Sequence, residues 1–250
     1  MLTVFIVGTA GSGKSTLTAS LSQYLEDQGN EVATLNLDPA AEYLPYTPDI
    51  DIRDQISARQ LMRKYKLGPN ASMLAAMDLM VTKVEEIREQ VNAFEPEYLI
   101  IDTPGQMELF AFRGSGSMVV NKLAGERSLV LFTIDSNQAR SPSGLVSNLL
   151  LSLSTQYRFQ RNQYNVLNKS DLLSPDLIDE IISWVEEPQQ LEISLQAEGL
   201  EAELNLRIIQ IIEAMGSTST PIPVSSLNRS GLDRLHAVLE QALTGGEKPQ

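Results

Sequence analysis

Gly8-Thr9-Ala10-Gly11-Ser12-Gly13-Lys14-Ser15 stands between an apolar run, residues 2–7, and a helical pattern over residues 15–28. The octapeptide fits G-x-x-x-x-G-K-[ST], a turn that must leave a strand and open a helix. Its glycines allow positive φ and let backbone N–H groups wrap an anion, and the helix N-terminus adds its dipole. Gly11, Ser12 and Gly13 supply the wrap, and Lys14 is placed to bridge two successive phosphates. Ser15 offers its hydroxyl to Mg²⁺, and Thr16 follows as a further nucleotide contact. The bland alternative is a glycine-rich turn before an ordinary helix. Chance produces the pattern in roughly one in a hundred chains of this size. The strand–turn–helix setting favours the phosphate reading.

Outward from this turn, short apolar runs alternate with longer helical patterns. Strands are expected over residues 2–7, 31–37, 98–102, 128–135, 164–168 and 221–225. Continuous runs such as Leu129-Val130-Leu131-Phe132 suit strands buried on both faces. The expectation is an α/β fold: a doubly wound, mainly parallel sheet with helices on both faces. Leu74, Met77, Val81, Val84, Ile87, Val91 and Phe94 recur at steps of three and four, predicting one long helix over residues 72–94. Ser174-Pro175-Asp176 reads as N-cap, first-turn proline and first-turn acid. Ser230 and Asp233 have capping-box-like spacing before a last helix, residues 230–243, and residues 244–250 look frayed. One domain over residues 1–250 is expected. It carries an insertion over about 43–95 and a helical one over about 188–216. Leu191, Ile193, Leu195, Leu204, Leu206, Ile208, Ile209, Ile211 and Ile212 in the second stretch suit helical core or a partner-binding helix pair.

Hydrophobic residues make up 42% of the chain, as in ordinary globular proteins. A net charge of −13 argues against direct nucleic-acid binding, which needs a basic surface. Without cysteine there is no disulfide scaffold, zinc–thiolate site or thiol chemistry. The single histidine, His236, lies in the last helical pattern, where packing is the better reading. No segment is apolar for long enough to span a bilayer, so a cytoplasmic, membrane-free protein is expected.

Two further motifs extend the phosphate reading. The run Tyr98-Leu99-Ile100-Ile101-Asp102 ends in Thr103-Pro104-Gly105-Gln106. An acid at the C-terminal end of an apolar strand faces a ligand bound at that edge, so Asp102 is a candidate Mg²⁺ residue. The Gly105 N–H could then contact the terminal phosphate. Asn168-Lys169-Ser170-Asp171 has the form N-K-x-D after another strand. Asp171 offers two acceptors to the N1–H and 2-amino donors of guanine, which adenine lacks. The stem of Lys169 can cover the base. Pro223-Val224-Ser225-Ser226 could present backbone N–H groups to the guanine oxygen. Guanine nucleotide, GTP or GDP, with Mg²⁺ is therefore the expected ligand.

These motifs, with Asn36-Leu37-Asp38-Pro39-Ala40 and the tripeptide Gly68-Pro69-Asn70, make the chain resemble the GPN-loop GTPases over most of its length. The resemblance implies a SIMIBI-type P-loop fold that hydrolyses GTP. It also implies a homodimer in which Asn70 of each copy reaches the other's active site. It gives Asp38 a place in the metal site or beside the attacking water, and Gln106 a place in the D-T-P-G-Q run. Ser226 departs from the alanine usual there. Eukaryotic members are associated with RNA polymerase assembly, which implies a protein client. By residue type alone, Gly-Pro-Asn is a turn signal, Asp38-Pro39 a strand exit, and Gln106 either positions a water or caps a loop. No arginine stands out as a finger. Two competing functions remain: a SIMIBI-type ATPase, and a nucleotide-bound interaction scaffold with little turnover.

Overall fold

The structure, a computed structural model, describes residues 1–195, 200–214 and 220–244. In chain order its elements are β1 (Leu2–Gly8), α1 (Lys14–Asp27), β2 (Val32–Asn36), β3 (Ile50–Asp51), α2 (Ala58–Tyr65) and α3 (Pro69–Phe94). Then follow β4 (Tyr98–Asp102), α4 (Met107–Phe110), α5 (Gly114–Leu123), β5 (Ser128–Asp135), α6 (Ser136–Ala139) and α7 (Pro142–Phe159). The chain continues through β6 (Asn162–Asn168), α8 (Pro175–Glu186), α9 (Pro188–Leu195), α10 (Leu200–Ala214), β7 (Ile222–Val224) and α11 (Leu232–Leu243).

The seven strands form one sheet in the order β3-β2-β4-β1-β5-β6-β7, and every pairing is parallel. From β1 the chain winds to one side through β2 and β3, returns to β4, then winds to the other side through β5, β6 and β7. The reversal falls at β1, so the C-terminal ends of β1, β4 and β5 open the crevice where such sheets bind ligands.

Successive residues of β1 point to opposite faces, and both faces are covered. Val4 and Ile6 pack with Leu17, Leu21 and Leu25 of α1 and Leu232, Leu235 and Leu239 of α11. Phe5 and Val7 pack in the other layer with Met73, Met77, Val84 and Val91 of α3, Val119 of α5 and Leu145 and Leu149 of α7. Burial on both sides explains why the strands read as continuous apolar runs rather than alternating ones.

The caps follow local chemistry. Helix α1 ends in a Schellman turn: Gly29, at φ 89°, donates to Glu26 O at 2.8 Å, and Asn30 N–H donates to Leu25 O at 3.1 Å. The Ser174 hydroxyl accepts from Leu177 N–H at the start of α8, with Pro175 in the first turn. Two sequence expectations change. The long helix starts at Pro69 rather than residue 72, with Gly68 as its N-cap, because proline at N1 lacks only an N–H that would be unpaired anyway. Ser230 is not a helix cap: Gly231 takes the N-cap at φ 78°, and a Cβ there would overlap Pro223 O.

His236 packs between Tyr24 and Tyr98, edge-to-face, with ring centroids 5.8 and 6.4 Å away. In the second stretch Leu191 and Ile209 are buried, while Ile193 (70%), Leu204 (58%) and Ile211 (53%) face outward. That part therefore both joins the core and leaves apolar surface. The Ile212 side chain, Gly216 and residues 245–250, which include most of the expected frayed end, lie outside the described residues. Among the described residues no helix is long and apolar enough to cross a membrane.

Candidate nucleotide site

The phosphate turn leaves β1 at Gly8 and enters α1 at Lys14. Gly11 and Gly13 have φ of 79° and 89°, a region that side chains disfavour. A Cβ on Gly8 would overlap Thr133 Oγ1, and one on Gly13 would overlap Asn168 Nδ2. Beneath the turn, Ser12 Oγ lies 2.7 Å from Thr133 Oγ1, which donates to Val7 O at 3.0 Å. Thr133 sits on the adjacent strand β5, so the curvature of the turn is fixed from below.

Lys14 is buried, and its Nζ donates to Thr9 O at 3.0 Å. Burial lowers its pKa, while the charges of Asp102 and Asp38 oppose that shift. Gly105 lies against it, since a Cβ there would stand 3.2 Å from the ammonium and 3.1 Å from Ala10 Cα. Asp102, at the end of β4, is 1% exposed, and burial pushes its carboxyl up to about 6 against the Ser15 hydroxyl and Lys14. One oxygen accepts from Tyr46 Oη at 3.3 Å, while Oδ1 is buried without a partner.

That orphaned oxygen, on a carboxyl whose pKa the Ser15 hydroxyl lowers, belongs to the kind of donor set a hard cation takes: oxygen atoms on the phosphate side of the turn. No three His, Cys, Asp or Glu among the described residues form a metal cluster. Ser15 and Asp102 would thus hold Mg²⁺ together with phosphate oxygens rather than as a closed cage. Asp38 belongs to the same neighbourhood: burial raises its carboxyl, and the Ala40 amide and the Lys14 charge pull it back.

The third motif forms a second pocket of about 220 Å³, lined by Gly13, Thr16, Asn168, Lys169, Asp171, Leu172, Ser226 and Leu227. Lys169 is left-handed at φ 61°, which carries its stem back across the turn, where Nζ donates to Gly11 O at 2.6 Å and Asp135 Oδ2 at 2.7 Å. Ser225 is fully buried and does not line the pocket. Its hydroxyl donates to Asp171 Oδ1 at 2.5 Å, and its own N–H is engaged with Ser230 O at 3.0 Å. Ser226 lines the pocket instead and donates to Asn168 Oδ1 at 2.9 Å.

Asn70 and Gln106 meet in a third cavity of about 490 Å³, shared with Pro39, Ala40, Arg53, Arg59 and Met73. Within one chain, then, the Gly-Pro-Asn helix start and the D-T-P-G-Q run face the same cleft. Sequence reasoning missed Thr133, Tyr46, Arg53 and Asp135. Only Asp135 had a readable signal, as an acid at the C-terminal end of an apolar strand.

Fold and site together define a P-loop nucleotide-binding protein. Comparison with known proteins agrees. A family model described as "Conserved hypothetical ATP binding protein" matches residues 6–245. A GPN-loop GTPase of Pyrococcus abyssi is 37% identical over 178 residues, covering 70% of each chain. GPN-loop GTPase 1 of Dictyostelium discoideum is 30% identical over 236 residues, 93% of this chain and 59% of that one. A crystal structure of a GTPase in apo form from Pyrococcus abyssi superposes with a TM-score of 0.83 at 30% identity, covering 96% of this chain and 97% of that one. The chain belongs to the GPN-loop GTPase family. It spans 52 to 63% of the length of the first curated relatives it matches.

Proposed function

We propose that this protein binds GTP with Mg²⁺ and hydrolyses it to GDP and phosphate, working as a nucleotide-dependent switch. The observation that carries the reading is the Asp171 carboxylate, held by Ser225 at a pocket contiguous with the phosphate turn. A carboxylate there accepts from both guanine donors. Adenine would leave it facing an acceptor and a C–H, a mismatch worth orders of magnitude in affinity. The ATP in the matched family model's description is the rival, and Asp171 is the reason to prefer guanine.

For hydrolysis, a water oxygen bonds to the γ-phosphorus as the bond to the β–γ bridging oxygen breaks, and GDP keeps that electron pair. Lys14 and the amides of the glycine turn stabilise charge on the bridging and equatorial oxygens. Mg²⁺, when bound, adds charge neutralisation at Ser15 and Asp102. Asp38 and Gln106 orient the water, and Asn70 completes the site from the second copy of a homodimer. The switch acts in the cytoplasm on a protein client, with RNA polymerase the family's example. A scaffold role is the second reading, favoured by the outward Ile193, Leu204 and Ile211.

Competition between GTP and ATP for the Mg²⁺-loaded protein, followed by single-turnover phosphate release, tests this. Preference for GTP by about a hundredfold or more, with measurable release, is expected. Equal binding would return the ATPase reading, and GTP binding without release the scaffold.

A further inference from the structure

The Asp38 loop is tied at both ends by side chains to which the hydrolysis scheme gives no part. Asn36 ends β2 and is fully buried. Its Oδ1 accepts from Asp38 N–H at 3.0 Å, and its Nδ2 donates to Asp38 O at 3.3 Å and to Asp51 Oδ1 at 2.9 Å. Arg53 grips Asp51 in turn: Nε donates to both carboxylate oxygens at 2.9 Å, Nη2 to Oδ2 at 2.5 Å, and the backbone N–H to Oδ1 at 2.9 Å. From the far side of the guanidinium, Nη1 donates to Ala41 O at 3.1 Å. Between these anchors Asp38 Oδ1 accepts from Ala40 N–H at 2.9 Å, which sets the carboxylate relative to its own backbone.

An ion pair between residues two apart in sequence is by itself worth little when exposed. This one differs in what it holds. The Asp51 side chain is only 13% exposed and shares an oxygen with a buried amide, so losing Arg53 leaves the Asp51 carboxylate without its counter-ion and frees it to shift away from Asn36. Arg53 also lines the cleft of Asn70 and Gln106, where a guanidinium could be taken for a phosphate contact. Its Nε donor and one of the two on Nη2 are committed to Asp51 and one on Nη1 to Ala41, which suits a planar fork used as a brace.

We infer that Arg53, acting through Asp51 and Asn36, is a positioning residue that clamps residues 38–41 and holds the Asp38 carboxylate in the orientation hydrolysis requires. This rests on the role proposed for Asp38 only in its last step; the clamp itself does not. A rigid Asp38 removes a search from the reaction, and misplacement by about an ångström costs rates on the order of a hundredfold.

The experiment pairs amide hydrogen exchange of the whole nucleotide-free protein with single-turnover GTP hydrolysis. Arg53→Ala should speed exchange at Ala40 and Ala41 by about tenfold or more, with β1 and β4 amides unchanged as the folding control. Arg53→Lys should recover only part, because an ammonium cannot make the fork. Turnover should fall by about tenfold to a hundredfold while the GTP Kd moves less than about threefold. Adding Arg53→Ala to Asp38→Asn should cost nothing further, since one acts through the other. Unchanged exchange at Ala40 and Ala41, or an additional loss in the double variant, overturns the clamp. Wild-type hydrolysis by Asp38→Asn would sink the role of Asp38 instead, and exchange alone would then decide the clamp. If Arg53→Ala unfolds globally, Arg53→Lys and Asp51→Asn carry the same comparison.

Discussion

Asn168 Nδ2 donates to the carbonyl oxygen of Ser12 at 2.9 Å, so the N-K-x-D loop is bonded directly to the glycine turn that follows β1. The same nitrogen reaches Gly13 O at 3.3 Å, and Asn168 Oδ1 accepts from Lys169 N–H and Ser226 Oγ, both at 2.9 Å. One buried amide thus satisfies four groups from three segments far apart in sequence. On the proposed reading, base and phosphate recognition are consequently coupled through this amide rather than two sites sharing only a ligand.

Asn168→Ala should therefore damage both halves at once. Stripping partners from buried carbonyls costs about 1–3 kcal/mol of folding stability. Affinity should drop for GTP and also for free pyrophosphate, which carries no base. Urea unfolding and pyrophosphate titration check this; a loss confined to base-bearing ligands would mean the two loops are not coupled.

Gly13→Ala tests the same junction from the other side. The new Cβ would overlap Asn168 Nδ2, and left-handed backbone adds about 1–2 kcal/mol of strain for a side chain. Nucleotide affinity should fall by at least about tenfold, measured by titration with GDP. Gly11→Ala, which shares the positive φ but has open space at Cβ, should lose less.

On the proposed reading, the polarity of Asp171 sets the base. Asp171→Asn puts an amide donor opposite the 2-position and should move preference from GTP to XTP, whose carbonyl can accept there. Ser225→Ala leaves the carboxylate but removes the 2.5 Å bond that aims it. GTP affinity should drop by about tenfold, the worth of a hydrogen bond to a charged group, with no gain for XTP. Competition binding with both nucleotides separates the outcomes. A variant Asp171→Asn that still prefers GTP would remove Asp171 from base reading.

What the sequence reveals and conceals divides along physical lines. Strand β1, the glycine turn and α1 were legible because phosphate binding dictates residue types at fixed spacing. Asp102 and Asn168–Asp171 were legible because they sit at strand ends. Strand β3 has two residues, too few for any periodicity, and it lies in the stretch over about 43–95 that read as an insertion. Tyr46 and Arg53 are therefore site neighbours only through tertiary contact. Ser225 looked like a base contact because it follows the last strand, but the chain turns there, so its N–H bonds Ser230 and its hydroxyl bonds Asp171.

Asp102 gives a pH prediction for the protein without nucleotide or metal. Burial raises its carboxyl to about 6, above its unfolded value near 4. Between those values the folded state binds the extra proton, so this group's contribution to stability falls as pH rises from about 4 to about 6, then levels off. Asp102→Asn removes the buried charge and should raise the unfolding midpoint at pH 7.5, with a smaller gain at pH 4.5. The same variant should lose the Mg²⁺ dependence of nucleotide binding. Equal shifts at both pH values would show that Asp102 titrates normally.

The role of Asn70 separates two geometries that a single chain leaves open, since Asn70 and Gln106 face one cleft within it. Asn70→Ala should lower turnover far more than GTP affinity, and Lys14→Ala should abolish turnover. Mixed and allowed to exchange, the two variants distinguish the arrangements. If Asn70 acts across a twofold dimer, each mixed dimer holds one site with Lys14 from one copy and Asn70 from the other. Equal mixing then restores about a quarter of wild-type activity, because half the dimers are mixed and each has one working site. If Asn70 acts within its own chain, the only site with an intact Lys14 lacks Asn70, and mixing restores nothing. Recovery on mixing would establish the swap across the dimer; its absence, with exchange verified by mass, would place Asn70 beside Gln106 of the same chain.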